Sequence, residues 1–361
     1  MVARILPVAA GLVVAIFTAV PGNPVLAQSQ FKLQLAGRWV EGTPLVATEK
    51  QVFLLARDGK MWEFAPSEAK SYSKSSGTFY AYSQAEMRGQ LLREFGSKFE
   101  ISGSGHYLVV HPAGQKDLWA PRFEELYRSF VHYFNTRAFR PSEPRFPMVA
   151  VVYPRQADFQ RAATADGSKN VQNMLGYYSP KTNRIALFDV TAGRTGLDWS
   201  TNADTIIHEA THQMAFNAGM HNRFGQSPLW VCEGLATMFE ARGVWNGRVH
   251  QNQADRVNRI QLAAFRRYQP RRSSNAIAET VSSDRAFNKD TEAAYAEAWA
   301  LSFFLSEQEP RKYVQYLSKT AAVKDFTLYP GPQRLKDFTD IFGGNFGLLE
   351  ARMKRFIGEL K

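Results

Sequence analysis

The sequence predicts an α+β protein: a small β-rich module, then a half built around a mixed sheet, then an almost wholly helical half. Three observations predict this. Short apolar runs bounded by turn residues fill positions 35–80, and strand and helix patterns alternate over 85–200. From 201 to 361 the apolar positions recur with helical spacing nearly throughout. Apolar residues make up 45% of the 361 positions, enough for one large or two moderate cores. No internal repeat or low-complexity tract interrupts the pattern.

Residues 1–27 read as a bacterial-type secretory signal. Arg4 precedes an apolar run over 5–20, and Val25 and Ala27 supply the small residues of a cleavage site after Ala27. The alternative is an uncleaved anchor, for which the run is short. No later segment is long and apolar enough to cross a bilayer. These features lead us to expect a periplasmic, cell-envelope or extracellular protein. In the β-rich module, residues 37–42 open the pattern, and two apolar runs over 52–64 flank an Asp58-Gly59 turn. This piece resembles a small SH3-like module of bacterial exported proteins. Residues 71–77 are polar and serine-rich and read as a linker.

The middle part begins with a helical stretch at 86–95. Residues 99–102 and 106–111 suit a hairpin around Gly103-Ser104-Gly105. A long amphipathic helix is expected over 118–136, a buried strand over 146–153 and a further helix over 156–163. Residues 174–189 read as two strands joined by a turn containing Pro180 and Asn183.

The chemistry is concentrated at His208-Glu209-Ala210-Thr211-His212. On a helix, residues four apart share one face, so both imidazoles can reach one ion. Glu209 lies about 100° around the helix, where it flanks the ion and can take a proton from water. A chemically active site of this kind needs a third protein ligand. The continuation His-x-x-Gly-x-x-His is absent, because Ala215 and Ala218 stand where its glycine and histidine would be. His221 follows Gly219, a helix stop, and reads as a loop histidine. The segment starting at Pro228 reads as a helix of about four turns stopped at Gly243. Within it Glu233 lies among Trp230, Val231, Cys232, Leu235 and Ala236. A carboxylate in such surroundings needs a cation, either a metal or an arginine.

These two stretches resemble the gluzincin metallopeptidases, the thermolysin-like clan whose third zinc ligand is a glutamate on the following helix. His208–His212 with Gln213, and the run 230–237, are more narrowly similar to uncharacterised secreted bacterial peptidases. The resemblance implies that His208, His212 and Glu233 bind Zn2+ and that Glu209 is the general base. It also implies that residues 85–200 and 201–361 are the two halves of one peptidase domain, with the metal at their junction. Two departures are evident. Thr237 stands where the thermolysin helix has an aspartate, and the Gly-x-Met-Glu-Asn motif of related aminopeptidases is missing. Tyr295 follows Glu233 at about the separation of the oxyanion tyrosine in those aminopeptidases. It also forms an i, i+4, i+8 stripe with Trp299 and Phe303, so core packing is its other reading. In that clan an edge strand at 174–189 receives a peptide as an added strand, and an ordinary hairpin is the alternative.

Asp204 and Glu240 are candidates for orienting the zinc histidines, against a simpler role as helix-end or surface charges. Cys232, the one cysteine, excludes an intramolecular disulfide and reads as buried filler. Removing Arg4 with the signal leaves 44 − 1 = 43 basic against 33 acidic residues. That excess favours anionic partners such as cell-envelope polymers. No nucleic-acid motif accompanies it, and Arg256, Arg259, Arg266, Arg267, Arg271 and Arg272 read as a solvated face. The expected function is an exported zinc metallopeptidase acting on a peptide or protein substrate. The alternatives are a non-catalytic cell-envelope binding module with a structural zinc, and a zinc hydrolase of cell-wall crosslinks.

Overall fold

The computed structural model describes residues 29–115, 118–168, 171–191 and 200–361. The expected signal at 1–27 lies outside them. The chain divides into two compact units. Of the described residues, one unit holds those up to Gly96 together with Arg145–Pro147 and Lys181–Asn183, and the other holds the rest.

The first unit is an antiparallel sheet of β1 (Ser29–Leu35), β2 (Arg38–Ala47), β3 (Val52–Ala56), β4 (Met61–Phe64) and β5 (Tyr72–Thr78), in the order β4-β3-β2-β1-β5. Alternate residues Phe31, Leu33 and Leu35 of β1 point inward onto Val40, Val52 and Leu54. β3 and β4 pair around the expected Asp58-Gly59 turn. The serine-rich stretch expected to be a linker is instead β5, paired with β1 at Leu33↔Tyr72 and Phe31↔Lys74. An edge strand needs only backbone partners on one side, so polar side chains do not prevent it. Helix α1 (Gln84–Phe95) follows, its start fixed by a capping box between Ser83 and Glu86.

In the second unit β6 (Phe99–Gly103) and β7 (Tyr107–Pro112) form the expected hairpin. Helix α2 (Ala120–Asn135), strand β8 (Met148–Tyr153), helix α3 (Gln156–Ala165), and strands β9 (Gly176–Ser179) and β10 (Arg184–Phe188) follow. The sheet order is β6-β7-β8-β10-β9, with β7, β8 and β10 parallel and the two edges antiparallel. Covered parallel strands read as continuous apolar runs, which is why 148–152 is wholly buried. The edge position of β9 is what matters for the site below.

The helical half comprises α4 (Ser200–Asn217), α5 (Leu229–Phe239), α6 (Arg242–Trp245), α7 (Arg259–Tyr268), α8 (Ala276–Ser282), α9 (Ala286–Lys289), α10 (Thr291–Gln308), α11 (Pro310–Ala321), α12 (Gly331–Phe342) and α13 (Phe346–Glu359). Helix α10 is capped by Asp290 and buried on nearly every side, including Trp299 and Phe303. The α5 segment is shorter than the four turns expected: it ends at Phe239, and Gly243 lies inside α6. A Cβ on Gly243 would meet the Asp255 carbonyl carbon at 2.6 Å, so that glycine serves a close approach and not a helix stop. The arginine group is also not simply a solvated face. Arg256 makes a bidentate contact with Glu307, and Arg272 is buried between Glu297 and Glu350. No helix among the described residues is long and apolar enough to cross a membrane.

Candidate metal centre

Helix α4 presents His208 and His212 one turn apart on one face, and α5 brings Glu233 against them. His208 Nε2 lies 3.1 Å from His212 Nε2 and 3.2 Å from Glu233 Oε2, and His212 Nε2 lies 3.5 Å from that same oxygen. Among the described residues this trio is a cluster that could hold a metal ion. The other ring nitrogen of His208, Nδ1, lies 2.8 Å from Glu240 Oε1. A hydrogen on Nδ1 leaves an Nε2 lone pair facing the Glu233 lone pair, an arrangement that positive charge between them, a metal ion or a proton, makes favourable. The electrostatics agree. Burial opposes charge on His208, yet Glu233 and Glu240 outweigh it and raise the imidazole well above its ordinary value. Burial likewise works against the Glu233 carboxylate, but His212 and the hydrogen bonds from both imidazoles hold it below the usual carboxylate range.

Glu209 points to the flank of the cluster. Its Oε2 accepts a 2.7 Å hydrogen bond from the backbone N–H of Tyr178 on edge strand β9. That contact requires β9 to run very close to α4, and Gly176 makes it possible. A Cβ there would lie 2.7 Å from Leu187 Cδ2, 2.8 Å from Thr205 Cγ2 and 3.3 Å from Glu209 Cγ. Gly234 does the same for α5 and α10: a Cβ would lie 2.5 Å from Ala298 O and closer still to Ser302 Oγ. The tight packing carries Tyr295, on the first turns of α10, to the cluster. Its ring stacks 6.3 Å from that of His208, and its hydroxyl feels the charge of the Glu233 carboxylate. Burial and then the Glu233 charge push the Tyr295 hydroxyl above its ordinary value, so it stays protonated as a donor.

Of the two candidates for orienting the histidines, Glu240 takes the place. Its Oε2 also accepts 2.6 Å from Asn258 Nδ2, and Asn258 donates 2.9 Å to Thr237 O. Asp204 is exposed on α4. Thr237 turns its hydroxyl back to the Glu233 carbonyl at 2.7 Å, and the carboxylate beside His208 Nδ1 is that of Glu240. His221 is not in the trio; it is buried edge-on to Phe216, donates to Met220 O at 2.9 Å, and burial pushes it down to about 3. Cys232 is buried as expected. Replacing Glu240 with Ala removes the acceptor at His208 Nδ1, and metal affinity is expected to fall by about 10–100-fold. Competition against a chromophoric chelator measures this, and an affinity equal to that of the unaltered chain would rule the brace out.

Comparison with known proteins adds three findings. Residues 202–327, which include the whole cluster, match the model of a family described as a protein of unknown function, DUF1570. No curated protein matches the chain. Among solved structures the chain is similar to a mutant M1 zinc metallopeptidase from Deinococcus radiodurans, bound to a Tyr-Ser-Ala substrate. The identity is 13% and the TM-score 0.39, over 72% of this chain and 50% of that one, so the chain spans half the length of that structure.

Proposed function

We propose that the chain is a zinc-dependent peptidase of the gluzincin type, exported by its signal. The supporting observation is the geometry of the three donor atoms. Ligands about 2.0–2.1 Å from one tetrahedral ion stand about 3.3–3.4 Å from each other, and the separations here are 3.1, 3.2 and 3.5 Å. Two imidazoles and one carboxylate are also the donor set of a hydrolytic zinc site with a position left for water. When bound, zinc supplies polarisation of a scissile carbonyl and a water acidified toward neutral pH.

The protein's own groups then have defined tasks. His208, fixed by Glu240, and His212 and Glu233 hold the ion. Glu209, steadied by the Tyr178 amide, accepts the proton of the attacking water and returns it to the leaving amine. Tyr295 donates its hydroxyl hydrogen toward the developing oxyanion. Edge strand β9 receives the peptide as a further strand through outward backbone groups other than the Tyr178 amide, which Glu209 holds. The test pairs metal analysis of the dialysed protein with a mass-spectrometric survey of a proteome-derived peptide pool, with and without chelator. Cleavage that stops on chelation and returns with zinc is the expected result. Bound zinc with no cleavage would favour a structural zinc in a binding module, and activity confined to a peptidoglycan digest would favour a cell-wall hydrolase.

A further inference from the structure

A cavity of about 260 Å³ opens beside the cluster, with His212 and Glu233 in its wall. It is smaller than the roughly 300–1,000 Å³ of sites that enclose whole small molecules, and suits a single side chain. Phe216 and Leu229 supply apolar wall, and the Phe216 ring stacks at 5.6 Å on Tyr178 of the edge strand. Of the residues lining it, only Arg223 and the candidate ligand Glu233 carry charge. With Glu233 committed to the ion, Arg223 sets the sign of the cavity.

Arg223 is held in a defined place. Its Nε donates to Pro180 O at 2.6 Å, just past the end of β9, and its guanidinium lies 5.1 Å from the Phe224 ring centroid. The loop that carries it is braced by Asn222. The Asn222 Oδ1 accepts from Phe224 N at 2.9 Å and Gly225 N at 3.0 Å, while Nδ2 donates to Val323 O at 2.6 Å and Asp325 Oδ1 at 2.8 Å. Gln226 adds a bond from Tyr329 N at 2.8 Å. A guanidinium keeps its charge at all accessible pH and matches a carboxylate with charge-assisted bonds. A cation held by Pro180 O in a recess walled in part by Phe216 and Leu229 therefore selects an acidic group and repels a basic one.

We propose that this cavity is a specificity subsite and that Arg223 makes the enzyme prefer a glutamate or aspartate next to the scissile bond. The proposal rests on the peptidase reading above. Its test uses the full chain loaded with zinc and short alanine-based peptides carrying Glu, Gln, Leu or Lys at each position flanking the cleaved bond. The unaltered chain is expected to favour Glu over Gln by about tenfold or more in kcat/KM, the scale of a hydrogen bond to a charged group. Arg223→Gln should bring that ratio close to one, Arg223→Lys should keep a preference for acid, and Arg223→Glu should turn it toward Lys. Because each ratio is taken within one preparation, partial unfolding of a variant does not mimic the effect. A second arm measures binding of the same fluorescein-labelled peptides to zinc-loaded Glu209→Gln. Equal binding of the Glu and Gln peptides overturns the subsite whether or not turnover occurs, whereas discriminating binding without turnover by the unaltered chain overturns the peptidase reading alone.

Discussion

Glu209→Gln is expected to lower peptide turnover by about 10²–10⁴-fold, the usual contribution of a general base, while zinc content and thermal unfolding stay those of the parent. The substitution keeps an oxygen to accept from the Tyr178 amide, which now lies 2.7 Å from the carboxylate, so the local geometry survives. What disappears is the capacity to take a proton. Steady-state kcat/KM beside zinc stoichiometry separates this from loss of the ion. Undiminished turnover in a zinc-replete variant would remove Glu209 from the chemistry.

Arg272→Ala should be the most destabilising substitution considered, by about 3–5 kcal/mol, because it breaks a buried charge network and strands its partners. The Arg272 side chain is 1% exposed and joins Glu297, at 4%, to Glu350, at 7%. Glu350 also accepts from the backbone of Ile277 at 3.1 Å, tying α13 to α8 through the same group. Burial already raises the Glu297 carboxyl against the opposing pull of Arg272, so without the guanidinium two carboxylates would face each other in the interior. Urea titration gives the measurement, and a midpoint loss equivalent to less than about 1 kcal/mol would show that the cluster relaxes to solvent. Replacing all three members with Met, Gln and Gln should recover much of the loss, since apolar or neutral replacements of whole networks are tolerated far better than half-networks.

How far the sequence disclosed all this differs by kind of information. The His208/His212 spacing and the apolar setting of Glu233 are local signals, and the structure brings these three side chains together. The sheet half and helical half were legible for the same reason, since strand and helix periods are carried within each segment. What was hidden depends on partners distant in sequence. Glu240 reads as either a partner of the histidines or a helix-end charge, and the choice is made only where α5 breaks at Phe239 and turns it toward His208, 32 residues away. Arg272 is an ordinary loop cation until Glu350, 78 residues on, folds over it. Residues 71–77 lacked the apolar alternation of a strand because β5 at the edge is stabilised by backbone pairing with β1.

One residue explains its own identity once its two duties are seen side by side. Asn258 starts α7, its Oδ1 accepting from Ile260 N at 3.1 Å and Gln261 N at 3.2 Å. Helix capping alone would be served about as well by aspartate or serine. Its Nδ2, however, donates to Glu240 at 2.6 Å, and neither alternative offers that NH2 group. An aspartate would put a second anion against the carboxylate that steadies His208, and a serine would fall short of it. A side chain that is acceptor at one end and donor at the other is thus required, and the amide marks where the architecture of α7 and the poise of the histidine are settled by a single choice.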